Sequence, residues 1–533
     1  MSKKKIVILG GGFSGVYTAL GLEKHFKPQE ASITLVNSEN YFVYKPLLPE
    51  VISGAVGLTD VVSPIRRLCP RTNLVLRDVE NVDLEKQVVT CSRGFKARHL
   101  EIEYDYLVLA LGAKTLFSII PGLVEHGLPF GNLADAVALR NRVIRCLAEA
   151  EIETDPEAKK KLLTFVIAGG GFSGVEVAAL VNDFTRDALK NYSNMSPQAI
   201  RVVLVQSGKR ILPEVEEGLA VFAQDLLRKR GMEIILGDRL AAASSEKAIF
   251  KSGMEIPTRC VVSTVPSTVP DVLEKLDCEK ERGRPLTTPH LELSGQEGKV
   301  WALGDCAWIT LPNGDRVPPT AQHATREGAC VADNIAAHAK GGTPRVFDFG
   351  GLGKMGSLGH HSAVAEVMGV KLSGFIAWVL WRFVYLSKFP GWDRRVRIGA
   401  SWFMELLFPP DMVQLSLRSQ LGVNEQHLEP GEDVFEEGDL GDSVYIIKDG
   451  TCEVTRGKGD SKEVLATLGA GQVFGEMALL ADAGRNATVT AAERTNLLVI
   501  TKPVFDALSS NVPEFGKIFS KVASQRTEEN AEG

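Results

Sequence analysis

The sequence predicts an α/β chain built on two Rossmann-like dinucleotide-binding units, followed by a helical region and a small β-roll. Three observations predict it. A glycine-rich turn occurs twice almost unchanged, as Ile8–Val16 (I-L-G-G-G-F-S-G-V) and Ile167–Val175 (I-A-G-G-G-F-S-G-V). Each copy follows a β-branched apolar run, Ile6–Leu9 or Phe165–Ala168, and leads into a helix-like stretch. Beyond about residue 412 the chain becomes short alternating segments punctuated by Gly431, Gly438, Gly450, Gly469 and Gly475.

In each turn the first glycine (Gly10, Gly169) permits the sharp exit from the strand. The second (Gly12, Gly171) lets the backbone approach a pyrophosphate. The third (Gly15, Gly174) lets helix and strand pack closely, so the helix N-terminus points N–H groups at the phosphates. Phe13 and Ser14, and in the second copy Phe172 and Ser173, complete the turns. Two such sites imply two dinucleotides with electrons passing between them.

The composition sets bounds. At 533 residues there is room for several domains, and 24% charged with 44% hydrophobic residues is ordinary for a soluble protein. A net charge of −6 gives no reason to expect nucleic acid as a partner. Eight cysteines without C-x-x-C spacing fit a reducing compartment and exclude zinc ribbons and redox disulfides, so no metal is expected. Met1–Lys5 runs straight into the first strand, which predicts no signal peptide. No uncharged apolar run approaches the ~20 residues of a spanning helix.

In the first unit, the second strand is Ile33–Val36. Asn37 stands where an acidic residue commonly binds the adenosine ribose, and it can still hydrogen-bond a hydroxyl there. Asn40–Pro49 (N-Y-F-V-Y-K-P-L-L-P) then resembles the N-Y-F/H-x-x-x-P-L-L segment of type II NADH dehydrogenases, the single-subunit flavoprotein NAD(P)H:quinone oxidoreductases. The resemblance continues at Tyr104–Gly112 (Y-D-Y-L-V-L-A-L-G) and Trp301–Ala307 (W-A-L-G-D-C-A), and its motifs span residues 5–408. It implies FAD held by Gly10, Gly12, Phe13, Ser14, Gly15, Asn37, Lys45, Gly112, Asp305, Ala321 and Gln322, with Asp305 reaching the ribityl chain.

The same resemblance implies that the second unit takes NADH or NADPH through Gly169, Gly171, Phe172, Ser173, Gly174, Glu176 and Gln206. Glu176 follows Gly174-Val175 as in the family's G-V-E. It either caps its helix or sits near the nicotinamide as a catalytic residue. Gln206 ends the strand Val202–Val205 where NADH-using relatives carry Glu. Its neutrality, with Ser207, Lys209 and Arg210 close by, leans toward NADPH or toward use of both cofactors, unless Lys209 and Arg210 are only solvated loop charges. Val262–Pro266 departs from the family's W-T-A-G-like segment.

Pro318–Gly328 resembles the family's P-x-x-A-Q-x-A-x-Q segment, beside which quinone docks in relatives. Gln322 matches as a catalytic and quinone contact, whereas Arg326 replaces the second Gln. His323 is either a proton donor or a satisfied structural histidine, the commoner fate of a lone His. His360-His361 lacks partners at metal spacing. Residues 372–408 are dense in large apolar groups, Phe375 to Leu386 and Trp402 to Phe408. The first helix is interrupted by Arg382 and flanked by Lys371, Lys388, Arg394, Arg395 and Arg397. Tryptophans beside basic residues suit a lipid headgroup layer, and Lys371–Trp378 resembles the family's membrane-seating segment. A homodimer interface is the other use of such a face.

Phe474–Val489 closely resembles the phosphate-binding cassette of cyclic-nucleotide-binding domains. Gly475 leaves room for ligand, Glu476 accepts from the ribose 2′-hydroxyl, and backbone N–H groups around Met477, Ala478 and Leu479 face the cyclic phosphate. Arg485 pairs with its charge, while Asn486, before Thr488, favours cAMP over cGMP. Pro503 and Pro513 each start a C-terminal helix.

The expected organisation is an FAD domain in residues 1–115 and 285–345, an NAD(P)H domain in 116–284, a membrane-associating or dimerisation region in 346–408, a cyclic-nucleotide-binding β-roll in 409–525 and a disordered tail in 526–533. The resemblance implies a quinone reductase lying peripherally on the cytoplasmic face of the cell membrane, without proton pumping, regulated by cyclic nucleotide. The competing readings are an apoptosis-inducing-factor-like NAD(P)H oxidase and a redox and cyclic-nucleotide sensor with little turnover. Disulfide and sulfide:quinone reductases need cysteines beside the flavin that the chain does not offer.

Overall fold

The computed structural model describes residues 3–94, 98–117, 119–264, 267–405, 407–408, 411–415, 424–457, 463–481 and 484–511. The chain divides into two compact units, Met1–Cys91 with Glu101–Leu415, and Ser92–Leu100 with Ser416–Gly533. Val265, Pro266, Leu406, Pro409, Pro410 and the region of Pro513, all used in the sequence reading, lie outside the described residues.

The first unit holds two five-stranded sheets of the same design. One runs Val300–Ala302, Tyr106–Leu109, Lys4–Leu9, Ala31–Asn37, Asn73–Leu76. The other runs Gly127–Pro129, Cys260–Ser263, Thr164–Ala168, Arg201–Gln206, Met232–Leu236. Every pairing in both is parallel. The strand before each glycine turn lies third of five, and Ile6–Leu9 and Phe165–Ala168 are buried on both faces. That double burial is why these strands read as unbroken apolar runs. Leu9 stands opposite Val36 and Leu109, and Ala168 opposite Val205 and Ser263. The carboxyl ends of the strands therefore align, and the turns leaving them share one edge, where open α/β sheets bind ligands.

Helices Phe13–His25 and Ala321–Lys340 cross at small residues. A Cβ on Gly328 would lie 2.6 Å from the Ser14 carbonyl oxygen and 2.9 Å from the Thr18 amide nitrogen.

The first unit ends in three antiparallel strands, Gly353–Ser357, Ala363–Val367 and Val370–Ser373, and two helices, Gly374–Lys388 and Trp392–Glu405. Arg382 does not interrupt the first helix. Its guanidinium lies 4.1 Å from the Trp378 ring and 4.7 Å from that of Trp402, and it pairs with Glu405 at 2.5 Å. Trp378, Trp381 and Trp402 are buried, which corrects their expected place among lipid headgroups. The exposed face belongs instead to Phe375, Ile376, Val379 and Phe383, with Trp392, Val396 and Phe403 from the second helix. Among the described residues, no helix is long and apolar enough to cross a membrane.

The second unit is a roll of two four-stranded antiparallel sheets, Asn424–Leu428, Thr495–Thr501, Ser443–Asp449, Val473–Phe474 and Asp433–Phe435, Thr488–Ala491, Cys452–Arg456, Glu463–Leu468. Leu428, Ile447, Cys452, Phe474, Val489 and Leu497 fill its core. Pro503 lies in the first turn of the helix Lys502–Asn511.

Gly328→Ala places a methyl inside van der Waals distance of backbone that cannot swing away. The expected loss is about 1–3 kcal/mol of stability by chemical denaturation, an overpacking cost.

Candidate dinucleotide and acceptor site

The two glycine turns superpose bond for bond. Gly10 and Gly169 have φ of +107° and +116°, and their N–H groups donate to Val36 and Val205 carbonyls at 2.8 and 2.9 Å. A Cβ on Gly15 would lie 1.9 Å from the Gly10 carbonyl oxygen, and one on Gly174 1.8 Å from that of Gly169. The middle glycines are fastened alike: Gly11 N–H donates to Asn37 Oδ1 at 2.8 Å, and Gly170 N–H to Gln206 Oε1 at 3.1 Å. Asn37 Nδ2 also donates to the Glu39 carbonyl at 2.8 Å. Asn37, expected at the ribose, is thus taken up at both ends as a brace of the turn.

The helices that follow begin at Gly12 and Gly171 without a side-chain cap or a first-turn acid. Some other helix ends are closed, as that of Leu133–Ile152 is by the capping box of Asn132 and Asp135, whereas Ala321–Lys340 and Gly374–Lys388 also start without a side-chain cap. A Cβ on Gly12 would meet nothing within 4 Å. Uncapped N–H groups over an open approach fit a pyrophosphate. Phe13 packs edge-on against Phe42, 4.8 Å between ring centres, and Ser14 is buried while Ser173 is exposed. Lys45 opens a short 3-10 turn, and Gly112 has φ +68° with open space where a Cβ would stand.

Asp305 lies in the turn Gly304–Cys306, which with Ala307, Thr320, Ala324 and Glu327 lines a cleft. The Gly304 N–H donates to Glu327 Oε2 at 2.7 Å. Glu327 is 2% exposed, and burial pushes its carboxyl up to about 7. Sequence reading missed this residue. Its one signal is an acid on the same helical face as His323, Ala324 and Val331, all buried.

Glu176 and Gln322 are brought to one strand. Glu176 Oε1 accepts the Ser357 N–H at 3.0 Å, while Gln322 donates to the Gly353 carbonyl at 3.0 Å and accepts the Leu352 N–H at 3.1 Å. The strand Gly353–Ser357 thus has one of them at each end, about 13 Å apart along its axis. Burial pushes Glu176 up to about 8, with Glu50 adding to the shift. Ala321 opens the helix behind Gln322. Arg326 donates to the Gln322 carbonyl at 2.9 Å and lies 4.0 Å over the Phe349 ring. His323 Nδ1 is bound to Thr320 Oγ1 at 2.6 Å, and burial holds its pKa below the usual value. Arg210 donates to the Pro213 and Val215 carbonyls at 3.4 and 3.1 Å, while Ser207 and Lys209 are exposed.

In the second unit Gly475 has φ +86° and leads into the helix Glu476–Ala481, with Glu476 and Ala478 buried. Arg485 is also buried. Its guanidinium donates to the carbonyls of Gly475 at 2.6 Å and Ser443 at 2.9 Å, and it lies 4.1 Å over Phe435. The arginine expected to meet a phosphate here joins the cassette to the strand Ser443–Asp449. Thr488 Oγ1 accepts the Glu437 N–H at 2.9 Å, and Arg456 reaches the Asn486 carbonyl at 3.4 Å. Asp482 and Ala483 lie outside the described residues.

Comparison with known proteins follows these divisions. The pyridine nucleotide-disulphide oxidoreductase family matches residues 4–328, the NDH2 C-terminal domain 352–411 and the cyclic nucleotide-binding domain 425–511. The chain is 30% identical over 412 residues to a demethylphylloquinone reductase of Synechocystis sp., covering 75% of this chain and 96% of the relative. It is 28% identical over 421 residues to a type II NADH:quinone oxidoreductase of Mycobacterium tuberculosis, covering 76% and 88%. Plasmodium falciparum NDH2, solved in complex with NADH, shares the fold with a TM-score of 0.71 at 19% identity, over 77% of this chain and all of that one.

A carboxyl raised from about 4.3 in the unfolded chain to about 7 in the fold stabilises fully below the lower value, and this contribution is lost as pH rises through the upper one. Glu327→Gln keeps an acceptor for the Gly304 N–H and removes the titration. Stability measured against pH should lose part of its decline between these values, up to about 1.4 kcal/mol per pH unit.

Proposed function

The chain belongs to the type II NADH:quinone oxidoreductase family, extended by a cyclic nucleotide-binding domain, and from that premise we propose that it carries two electrons from NADH or NADPH through FAD to a membrane quinone under cyclic-nucleotide control. The strand Gly353–Ser357 carries this reading, because it ties Glu176 of the second glycine-turn helix to Gln322 of the acceptor segment.

In this reading residues 1–115 and 285–345 hold FAD and residues 116–284 hold the nicotinamide cofactor. Bound FAD supplies the redox chemistry, accepting hydride and releasing its electrons singly or in pairs. The chain positions and excludes water. The uncapped N–H groups at Gly12 and Gly171 take the two pyrophosphates, and Asp305 takes the ribityl chain. Glu176, whose carboxyl desolvation pushes up to about 8, lies beside the nicotinamide, where its protonated form sets no charge against the electrons that pass. Gln322 and Arg326 border the quinone. Gln206 spends its Oε1 on Gly170 and turns no negative charge toward a ribose 2′-position, which favours use of both cofactors.

A quinone lives in lipid, so its reductase works from a membrane surface. Phe375, Ile376, Val379 and Phe383, exposed on one helix and followed by the exposed Arg395 and Arg397, fit peripheral seating on an anionic face, with a homodimer as the other use of this surface. Cyclic nucleotide, with cAMP favoured, binds at Gly475–Thr488. Regulation is supported by the match of residues 425–511 to the cyclic nucleotide-binding domain.

Anaerobic titration of the FAD-loaded protein should bleach its yellow with NADH and with NADPH, and steady-state reduction of a soluble benzoquinone should follow and respond to cAMP. Gln206→Glu should shift the kcat/KM ratio toward NADH by more than about tenfold, and Arg485→Ala should abolish the cAMP response. Flavin left unbleached by both cofactors would overturn the reading. For the membrane, Phe375→Glu with Phe383→Glu should cut flotation with anionic liposomes by more than about tenfold; unchanged flotation would assign the face to another partner.

A further inference from the structure

We propose that Glu50 is a proton-positioning residue for quinone reduction, holding beside Glu176 the solvent proton that each turnover consumes. The inference rests on the quinone-reductase reading and adds to it a residue and a proton route. Reduction of quinone balances as NAD(P)H + H⁺ + quinone giving NAD(P)⁺ + quinol. Hydride brings two electrons and one hydrogen; the second hydrogen of the quinol arrives from water as a proton. A closed, apolar site needs a group to hold it.

Glu50 opens the short helix Glu50–Ser53 and is 4% exposed. That helix packs on Phe172–Ala188, the helix bearing Glu176, and Arg140 fastens it by donating to the Ile52 carbonyl at 2.9 Å. The Glu50 carboxyl receives the Trp402 Nε1–H at 2.6 Å. Beyond Trp402 stands Arg382, 4.7 Å over its ring and paired with Glu405, whose side chain is 37% exposed. The charged groups felt at Glu50 are therefore Arg382, Glu405 and Glu176.

These partners divide the work. Arg382 keeps its proton at all working pH, and Trp402 donates without accepting, so neither relays. Any proton exchanged here comes and goes on the Glu50 carboxyl itself. When it has left, the Trp402 N–H and the Arg382 charge support the carboxylate; when it is present, no net charge is buried. Burial pushes Glu50 up to about 7, and charge on Glu50 raises Glu176 further. Loss of the proton from Glu50 thus favours the protonated form of Glu176.

The test follows flavin reduction by NADH and its reoxidation by a short-chain benzoquinone, in rapid mixing of the FAD-loaded protein across neutral pH. Wild-type reoxidation should slow as pH rises through neutrality, because the protonated carboxyl is lost. Glu50→Gln keeps the acceptor for Trp402. It should slow reoxidation roughly tenfold to a hundredfold, flatten its pH profile and solvent isotope effect, and leave flavin reduction within about twofold. Trp402→Phe removes a donor to the anion and should move the alkaline fall to higher pH. Wild-type pH profiles in both variants, with quinone reduction intact, would overturn the proposal and leave the enzyme reading standing. A wild-type protein whose NADH-reduced flavin no quinone reoxidises would overturn both.

Discussion

The site depends on how closely two pieces of backbone approach at the glycine turns. At Gly15 and Gly174 the helix lies so near the strand that a single added carbon would sit within 2 Å of a carbonyl oxygen. Only hydrogen fits there. The closeness is what aims the first N–H groups of each helix along the strand exit, and their lack of a side-chain cap leaves them for phosphate oxygens. In both all-parallel sheets the strand before the turn lies third of five, although the edge strand comes last in the chain in one (Val300–Ala302) and first in the other (Gly127–Pro129), so one turn geometry has been used twice in one chain.

The twin turns differ in what surrounds them. Asn37 and Gln206 fasten the same amide position, but Asn37 is bonded at both polar ends whereas only the Oε1 bond of Gln206 looks inward. Near the first turn lie Gly304–Cys306 and the helix carrying Glu327; near the second lies Glu176. Both acids are raised mainly by burial, with Asp305 adding to the shift of Glu327 and Glu50 to that of Glu176. A region that handles electrons gains from this. A carboxyl in its protonated form still accepts backbone N–H groups, yet adds no field opposing negative charge nearby.

Much of this was legible in the sequence because it is local. The doubled glycine turn, the Gly304-Asp305 turn, Pro318–Gly328 and the cassette around Glu476 and Arg485 each lie within about a dozen residues and keep their spacing when read as letters. What was missed depends on tertiary packing. Gly353–Ser357 is too short and too glycine-rich to declare itself a strand, yet it holds both Glu176 and Gln322. Trp378 and Trp381 share composition with their exposed neighbours, and only packing tells which side of Gly374–Lys388 turns inward. Arg382 reads as an interruption until Trp378, Trp402 and Glu405 are in place to enclose it. Glu50 and Glu327 look like ordinary surface acids in one dimension, because burial is not written in residue type.

The C-terminal part of the first unit therefore completes the site as well as offering an exposed apolar face. Three polar groups at the centre of the chemistry have partners within residues 352–402: Ser357 donates to Glu176, Leu352 and Gly353 hold Gln322, and Trp402 donates to Glu50. Of the three side chains Glu50 is buried, and without Trp402 it would be a buried polar group with a bond missing, at a cost of about 1–3 kcal/mol. The same two helices bear Phe375, Phe383 and Trp392 outward and Trp378, Trp381 and Trp402 inward. One pair of helices thus offers an exposed apolar face on its outer side and, through Trp402, holds Glu50 on its inner side.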